Sequence, residues 1–325
     1  MAPLSTIRIA NIQVEHRSMV MGSDKEAPGA RAENAVSLLA GLVGKGLGES
    51  FAPEIHMLEG ESLDIRYVFR RIDLSLTGKE NEDLPAVLEG AKTCGFNGLV
   101  ITHPCKQAVI PHLNGISETA AILNAVNTVV FKYDGAYGHN TDWLGFLTAF
   151  RAGLGDLPSD HVVILGCGGA GAAMAFAMLK HGTSRLTLHD TESSRADELA
   201  ARMSTHFPDQ TVEAADAIDR FVAQADGIIN ATPIGMTHYP GTPVDLNLMR
   251  SDLWALDLNY FPEETELLEA ARKAGARTMN GRHMSASQVA EQMRLFGGVI
   301  ADPERILRFS DALSEHRKAS KGRKE

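Results

Sequence analysis

One run of six residues constrains this chain more than any other: Gly166-Cys167-Gly168-Gly169-Ala170-Gly171, set between the apolar stretch His161–Leu165 and an alanine- and methionine-rich stretch reaching Lys180. A buried-type strand, a glycine turn and a helix, in that order, form the arrangement that binds the pyrophosphate of a dinucleotide. Gly166 permits the tight turn, Gly168 lets the backbone approach the phosphates, and Gly171 allows the helix to pack closely on the strand. The helix N-terminus adds unpaired N–H groups and a partial positive charge. Asp190 ends the next strand, 19 residues beyond Gly171. An acidic side chain there accepts hydrogen bonds from the adenosine ribose hydroxyls and repels a 2'-phosphate, so NAD is expected over NADP. Asp190 also reads as an N-cap for the helix containing Ser193 and Ala201, and the two roles are not exclusive.

The rest of the chain keeps the alternation that this motif requires. Residues 65–74 read as a strand, 83–94 as a helix and 98–102 as a strand. Residues 129–133 and 136–139 read as a hairpin, because Asp134-Gly135 readily supplies the positive φ angles of a tight turn. A helix starts at Asp142. Beyond the glycine turn come a strand at 185–190, a helix at 192–203 and strands at 227–232 and 254–260. A helical pattern at 285–298 then packs back on the first half. The expected fold class is α/β with two domains. The first is an α/β unit over 37–143 joined by about 284–313. The second, 144–283, is a Rossmann-type doubly wound parallel sheet, and the divide falls near 143–158. Residues 1–36 read as a mobile or loosely docked extension, and 314–325, rich in Lys and Arg, as a flexible solvated tail. The glycine-rich run at 41–48 has Gly46 rather than Ser or Thr after Lys45, so it lacks the hydroxyl of a magnesium-nucleotide loop and reads as a strand end and loop.

Composition excludes several classes of function. With 325 residues, 44% of them hydrophobic, the chain can bury two ordinary cores. No run approaches the roughly 18 consecutive apolar residues of a membrane span, and no apolar leader with a cleavage site opens the chain. Three scattered cysteines among 325 residues fit neither a disulfide framework nor a paired zinc site, so a reducing cytoplasm is expected. A formal charge of −10 disfavours a nucleic-acid backbone as partner. The 12 histidines contain no HExxH. His103, His112 and His139 therefore read as structural or surface groups, and no metal is expected. Cys105 reads as a small buried thiol rather than a nucleophile.

Hydride transfer from an alcohol carbon needs a group to take the alcohol proton. Lys106, after a strand in Ile-Thr-His-Pro-Cys-Lys, and Asp142, in His-Asn-Thr-Asp-Trp, both occupy loop positions facing a common cleft. Composition and periodicity alone do not choose them, since a lysine is usually a surface group and an aspartate before a helix usually a cap.

The ordered set of these two motifs with Ala125-Val126-Asn127-Thr128, the glycine turn, Asn230-Ala-Thr-Pro-Ile-Gly-Met236 and Asn280-Gly-Arg-His-Met-Ser-Ala-Ser-Gln288 resembles the shikimate/quinate dehydrogenase family, from about Leu38 to Phe309. The resemblance implies reversible NAD(P)-linked oxidation of a ring hydroxyl of a small alicyclic carboxylic acid. It implies Lys106 and Asp142 as the catalytic pair, with Ser50, Thr102, Asn127, Tyr260 and Gln288 joining Asp142 around the substrate. It implies cofactor contacts from Gly166, Gly168, Gly169, Ala170, Gly171, Asp190, Thr232, Leu258 and Gly281. NADP-using members carry Asn-Arg-Thr where this chain has His189-Asp190-Thr191, which favours NAD as cofactor. The Ser-x-Ser that grips the substrate carboxylate in the family stands here as Ser50-Phe51-Ala52, one hydroxyl short. Shikimate, quinate and related acids all remain open, and a homodimer is among the assemblies left open. A different function, nucleotide sensing without turnover, is opposed by retention of both Lys106 and Asp142.

Overall fold

A computed structural model describes residues 37–260 and 262–321. The expected extension at 1–36 lies outside the described residues. The first half runs β1 (Ser37–Gly44), α1 (Ala52–Ser62), β2 (Arg66–Asp73), α2 (Leu74–Thr77), α3 (Leu84–Thr93), β3 (Gly98–Ile101), α4 (Cys105–Ala108), β4 (Gly115–Ile116), α5 (Glu118–Leu123), β5 (Thr128–Lys132) and β6 (Gly135–His139). Its six strands form a mixed sheet in the order β2-β1-β3-β5-β6-β4. The chain then leaves through α6 (Asp142–Gly153).

The second half runs β7 (His161–Leu165), α7 (Gly169–His181), β8 (Arg185–His189), α8 (Ser193–His206), β9 (Thr211–Ala214), α9 (Asp219–Val222), β10 (Gly227–Asn230), β11 (Trp254–Asp257), α10 (Glu266–Lys273) and β12 (Thr278–Asn280). All six strands are parallel, in the order β12-β11-β10-β7-β8-β9. Every residue of β7 is buried, as a central parallel strand with both faces covered requires. Because β7 lies between β8 and β10, connections diverge to either side of it, and a crevice opens at its C-terminal end. That end is Gly166. One core lies between this sheet and α6, α7 and α8; another lies between its opposite face and α9 and α10.

Two helices then return to the first sheet. The first, α11 (Arg282–Gly297), packs along α6 and against β1 and β5, and α12 (Pro303–Lys321) packs on α1 and α11. Phe296, Met293 and Ile306 thereby complete the core that Leu38, Ala40, Tyr67 and Phe69 begin. The helix α12 runs to Lys321, and Ser314 is buried. This corrects the expectation of an unstructured tail from Ser314. Leu313, on the same helix, packs against the core. No helix among the described residues is long and apolar enough to cross a membrane.

The hairpin of β5 and β6 forms, but not through positive φ. Lys132 pairs with Gly135, so the loop is Tyr133-Asp134, and neither of these residues nor Gly135 has φ above zero. Gly135 is instead required by close packing. A Cβ there would lie 2.3 Å from the Asn114 amide, whose oxygen accepts from Ala136 N–H at 2.8 Å.

Candidate active site

The deepest feature of the site is the Asp142 carboxylate, buried at the first residue of α6. Its Oδ2 accepts from Lys106 Nζ at 2.6 Å, and its Oδ1 accepts from Asn127 Nδ2 at 2.8 Å and from Gln288 Nε2 at 2.6 Å. These donors come from α4, the residue before β5, and α11, so three separate returns of the chain converge on one carboxylate. Charge-assisted bonds of this kind are about twice as strong as neutral ones and fix orientation.

Each participant is itself held. Asp142 N–H donates to Asn140 Oδ1 at 2.9 Å, and Asn140 Nδ2 donates to Ala125 O at 3.0 Å. Val126 N–H donates to the Lys106 carbonyl at 2.9 Å, tying the short helix α4 to the Ala-Val-Asn-Thr segment. Asn127 Oδ1 accepts from Thr141 N–H at 2.8 Å, and its Nδ2 also donates to Thr141 Oγ1 at 3.0 Å. Both amide protons of Asn127 are thus engaged within the protein. Asn127 positions Asp142, and contact with a ring hydroxyl requires it to exchange one of those bonds.

The pair faces a cleft of about 730 Å³ bordered by Ser50, Thr102, Lys106, Asn127, Asp142 and Gln288 from the first half and the returning helices, and by Leu258 and Tyr260 from the second sheet. All eight residues are therefore brought to one cavity. Ser50 Oγ accepts from Ala52 N–H at 3.2 Å. Burial pushes the Tyr260 phenol above its usual range, opposed by a hydrogen bond with Ser285 and by the positive charge of Arg317.

The glycine turn closes the other end. Gly166 has φ 91°, a conformation that glycine adopts without steric cost. A Cβ on Gly171 would lie 1.8 Å from the Gly166 carbonyl oxygen, so the α7-to-β7 packing admits only glycine there. A Cβ on Gly168 would meet nothing within 4 Å, which leaves open space beside the turn. Gly168 is also the N-cap of α7 and provides no side-chain cap, so the first helical N–H groups stay available to an anion. The turn reaches the catalytic half: a Cβ on Gly169 would come within 3.9 Å of Lys106 Cδ and of Ala125 Cβ. Space, exposed donors and proximity fit a dinucleotide laid across Gly166, Gly168, Gly169, Ala170 and Gly171.

Asp190 braces this turn. Its Oδ2 accepts from Cys167 N–H at 2.8 Å and its Oδ1 from Glu192 N–H at 3.0 Å. It is not the cap of α8: that position is Glu192, and the helix has no side-chain cap. Burial first, and then the neighbouring Asp190 charge, push the Cys167 thiol up to about 12, so the sulfur within the turn stays protonated. Burial likewise raises the Cys105 thiol. Thr232 lies over the turn, its Cγ2 being 2.9 Å from where a Gly166 Cβ would sit, and a Cβ on Gly281 would lie 2.2 Å from the Leu258 carbonyl oxygen. His103, read as structural or surface, is exposed on the rim of the cleft.

Several contributors had no signal in the reading above. Asp257 is buried, its carboxyl pushed upward by burial and held down by bonds from Asn259, Thr265 and Asn230. Asn230 in turn accepts from Thr232 Oγ1 at 2.7 Å, so this network fixes the loop that carries Thr232. An aspartate closing the apolar run Trp254–Asp257 was the available clue. Arg317 also borders the cleft, with its guanidinium over the Phe51 ring at 3.8 Å, and nothing in the sequence marked it.

Residues 42–129 match the model of the shikimate dehydrogenase substrate-binding domain. The chain is 44% identical over 277 residues to shikimate dehydrogenase (NADP(+)) of Pseudarthrobacter chlorophenolicus, covering 85% of this chain and 94% of that protein. It is 43% identical over 273 residues to quinate/shikimate dehydrogenase (NAD(+)) of Corynebacterium glutamicum, covering 83% and 96%. A solved structure of quinate dehydrogenase from Corynebacterium glutamicum in complex with NAD matches with a TM-score of 0.80 at 41% identity, over 85% of this chain and 99% of that one.

Proposed function

Because the chain belongs to the shikimate/quinate dehydrogenase family, we propose that it catalyses reversible NAD(P)-linked oxidation of a ring hydroxyl of shikimate, quinate or a closely related ring acid to the ketone. The observation that carries this reading is the Lys106–Asp142 pair, 2.6 Å apart in a cleft that the glycine turn also borders. A binder without turnover has no use for a proton-transfer pair there.

When bound, the nicotinamide nucleotide supplies the hydride acceptor. The backbone of Gly166 to Gly171 and the start of α7 would hold its pyrophosphate, and Thr232, Leu258 and Gly281 would line the rest of the cofactor site. Lys106 Nζ would take the proton of the substrate hydroxyl as the hydride leaves the carbon that bears that oxygen, so the alcohol loses one proton and one hydride. Asp142 holds Nζ in place and would accept from a ring hydroxyl beside the one that loses its proton. Thr102, Tyr260 and Gln288 contact the remaining ring hydroxyls, and Ser50 donates to the carboxylate.

NAD is the preferred cofactor in this reading. The support is Asp190, whose carboxylate oxygens each accept one backbone N–H and keep lone pairs for the ribose hydroxyls. Initial rates with shikimate and quinate, each with NAD and NADP, test substrate and cofactor together. Lys106→Ala is expected to lower kcat by roughly 100-fold or more while NADH binding, followed by the fluorescence of its reduced nicotinamide, stays near normal. Turnover close to wild type in that variant would sink the assignment.

A further inference from the structure

We propose that Gln292 is a further substrate-binding residue of this cleft, its side-chain amide donating to the carboxylate of the ring acid beside Ala52. The proposal rests on the functional reading above, in which the substrate carries that acid group.

Gln292 lies one helical turn beyond Gln288 on α11, and both border the cleft. It is 4% exposed, and its Oε1 is engaged by the fully buried His56, whose Nε2 stands 3.1 Å away. The other ring nitrogen, Nδ1, lies 3.0 Å from Tyr67 Oη. Burial lowers the His56 pKa to about 3, so near neutral pH the ring is uncharged, with one donor nitrogen and one acceptor. Because Gln292 presents an oxygen, Nε2 carries the proton and Nδ1 accepts from the Tyr67 hydroxyl. This chain of bonds decides which end of the Gln292 amide is left over. It is the Nε2 end, and no acceptor among the described residues takes its donors. The other amides on the cleft floor are engaged: Gln288 Nε2 donates to Asp142, and Asn127 Nδ2 to Thr141 and Asp142.

The first helix brings this donor to Ala52. Ala52 and His56 are four residues apart on α1 and so share one of its faces. The residue that holds Gln292 therefore stands one turn from the position where the second hydroxyl is missing, and Ser50, Ala52 and Gln292 border the same cleft. That end of the cleft favours an anion. Ser50 Oγ accepts from Ala52 N–H and keeps its O–H to donate, and α1 begins there without a side-chain cap, adding the partial positive charge of a helix N-terminus. Gln288, which reaches the reacting end at Asp142, is about 5.4 Å from Gln292 along α11, a separation that a single six-membered ring spans.

The test is steady-state kinetics of Gln292→Met with the preferred ring acid and with its uncharged methyl ester. KM for the acid is expected to rise by about 10- to 100-fold with kcat within about 3-fold, the loss expected when a donor to a charged group is removed. The rise for the ester should be smaller by about 5-fold or more, because bonds to charged acceptors are the stronger ones. Adding Ala52→Ser to Gln292→Met should recover part of the affinity for the acid, by returning a hydroxyl to the same anion. An unchanged KM for the acid overturns the proposal, and so does a failure of Ala52→Ser to recover any of the loss. An equal loss for acid and ester also overturns it, by assigning Gln292 to the packing of α11 on α1. Should Gln292→Met melt early, Gln292→Glu keeps an acceptor for His56 and carries the same comparison, with a larger loss for the acid because like charges then meet. A wild-type enzyme that turns over no ring acid defeats the functional reading itself, a result separate from any effect of the variants.

Discussion

The Asp190 carboxylate accepts two backbone N–H groups, one of them from Cys167 inside the glycine turn, so any substitution there tests the shape of the turn as well as cofactor choice. Asp190→Arg reverses the charge but removes both braces. Asp190→Asn removes the charge that repels a 2'-phosphate and keeps one acceptor oxygen, so only one of the two braces is lost. It is expected to narrow the NAD-over-NADP ratio in kcat/KM by about 10-fold or more, measured with both cofactors, with a smaller drop in melting temperature than Asp190→Arg. A wild type that uses NADP as well as NAD contradicts the premise. The turn and Asp190 were legible because they lie close together along the chain and their spacing is fixed by the strand-turn-helix geometry. Lys106 and Asp142 are 36 residues apart, and only the resemblance joined them. Asn127 was legible as a site residue, but its role as the holder of Asp142 depended on Thr141 and Gln288, which no local pattern connects to it.

At the scale of elements, the contact of α6 with α11 sets the position of Gln288. A Cβ on Gly145 would come 2.7 Å from Gln288 Cγ and 2.9 Å from the Met284 carbonyl oxygen, so the helices touch through a glycine. Gly145→Ala is expected to push α11 outward and pull Gln288 from Asp142. Overpacking of this kind costs about 1–3 kcal/mol, and kcat/KM should fall more than the loss of folded protein accounts for. Thermal melts beside kinetics decide it, and a variant with normal kcat/KM shows that α11 gives way elsewhere. Long amphipathic and fully buried elements were readable, including β7, α7 and α11. The edge strands β9, four residues, and β12, three residues, were not, because such short polar-flanked runs carry too little periodicity. The continuation of α12 past 314 was missed because a buried Ser314 followed by exposed Glu315 and His316 carries no apolar period.

Across the whole molecule, one buried group ties stability to acidity. His56 on α1 stacks on Phe69 at 4.3 Å, and its ring nitrogens bond Tyr67 Oη at 3.0 Å and Gln292 Oε1 at 3.1 Å. Burial lowers its pKa to about 3, against a weaker upward pull from Gln292. The unfolded chain takes up a proton at this position below about 6.5, whereas the folded protein refuses it until about 3. This contribution to stability is therefore complete above about pH 6.5 and is lost progressively as pH falls toward 3. At pH 4.5 the loss is on the order of 2–3 kcal/mol, and urea midpoints at pH 7.5 and 4.5 should differ less in His56→Gln than in wild type. Equal differences in the two proteins remove His56 from the account. Gln292 belongs to α11, so this network spans both ends of the chain, as does the core where Phe296 and Ile306 meet Leu38 and Tyr67. All six strands of the second sheet lie uninterrupted between His161 and Asn280, whereas the first sheet waits for helices made after Arg282. On the ribosome the order of completion is thus inverted: the half translated second has its full set of strands while the half translated first still exposes the surface its last helices will cover.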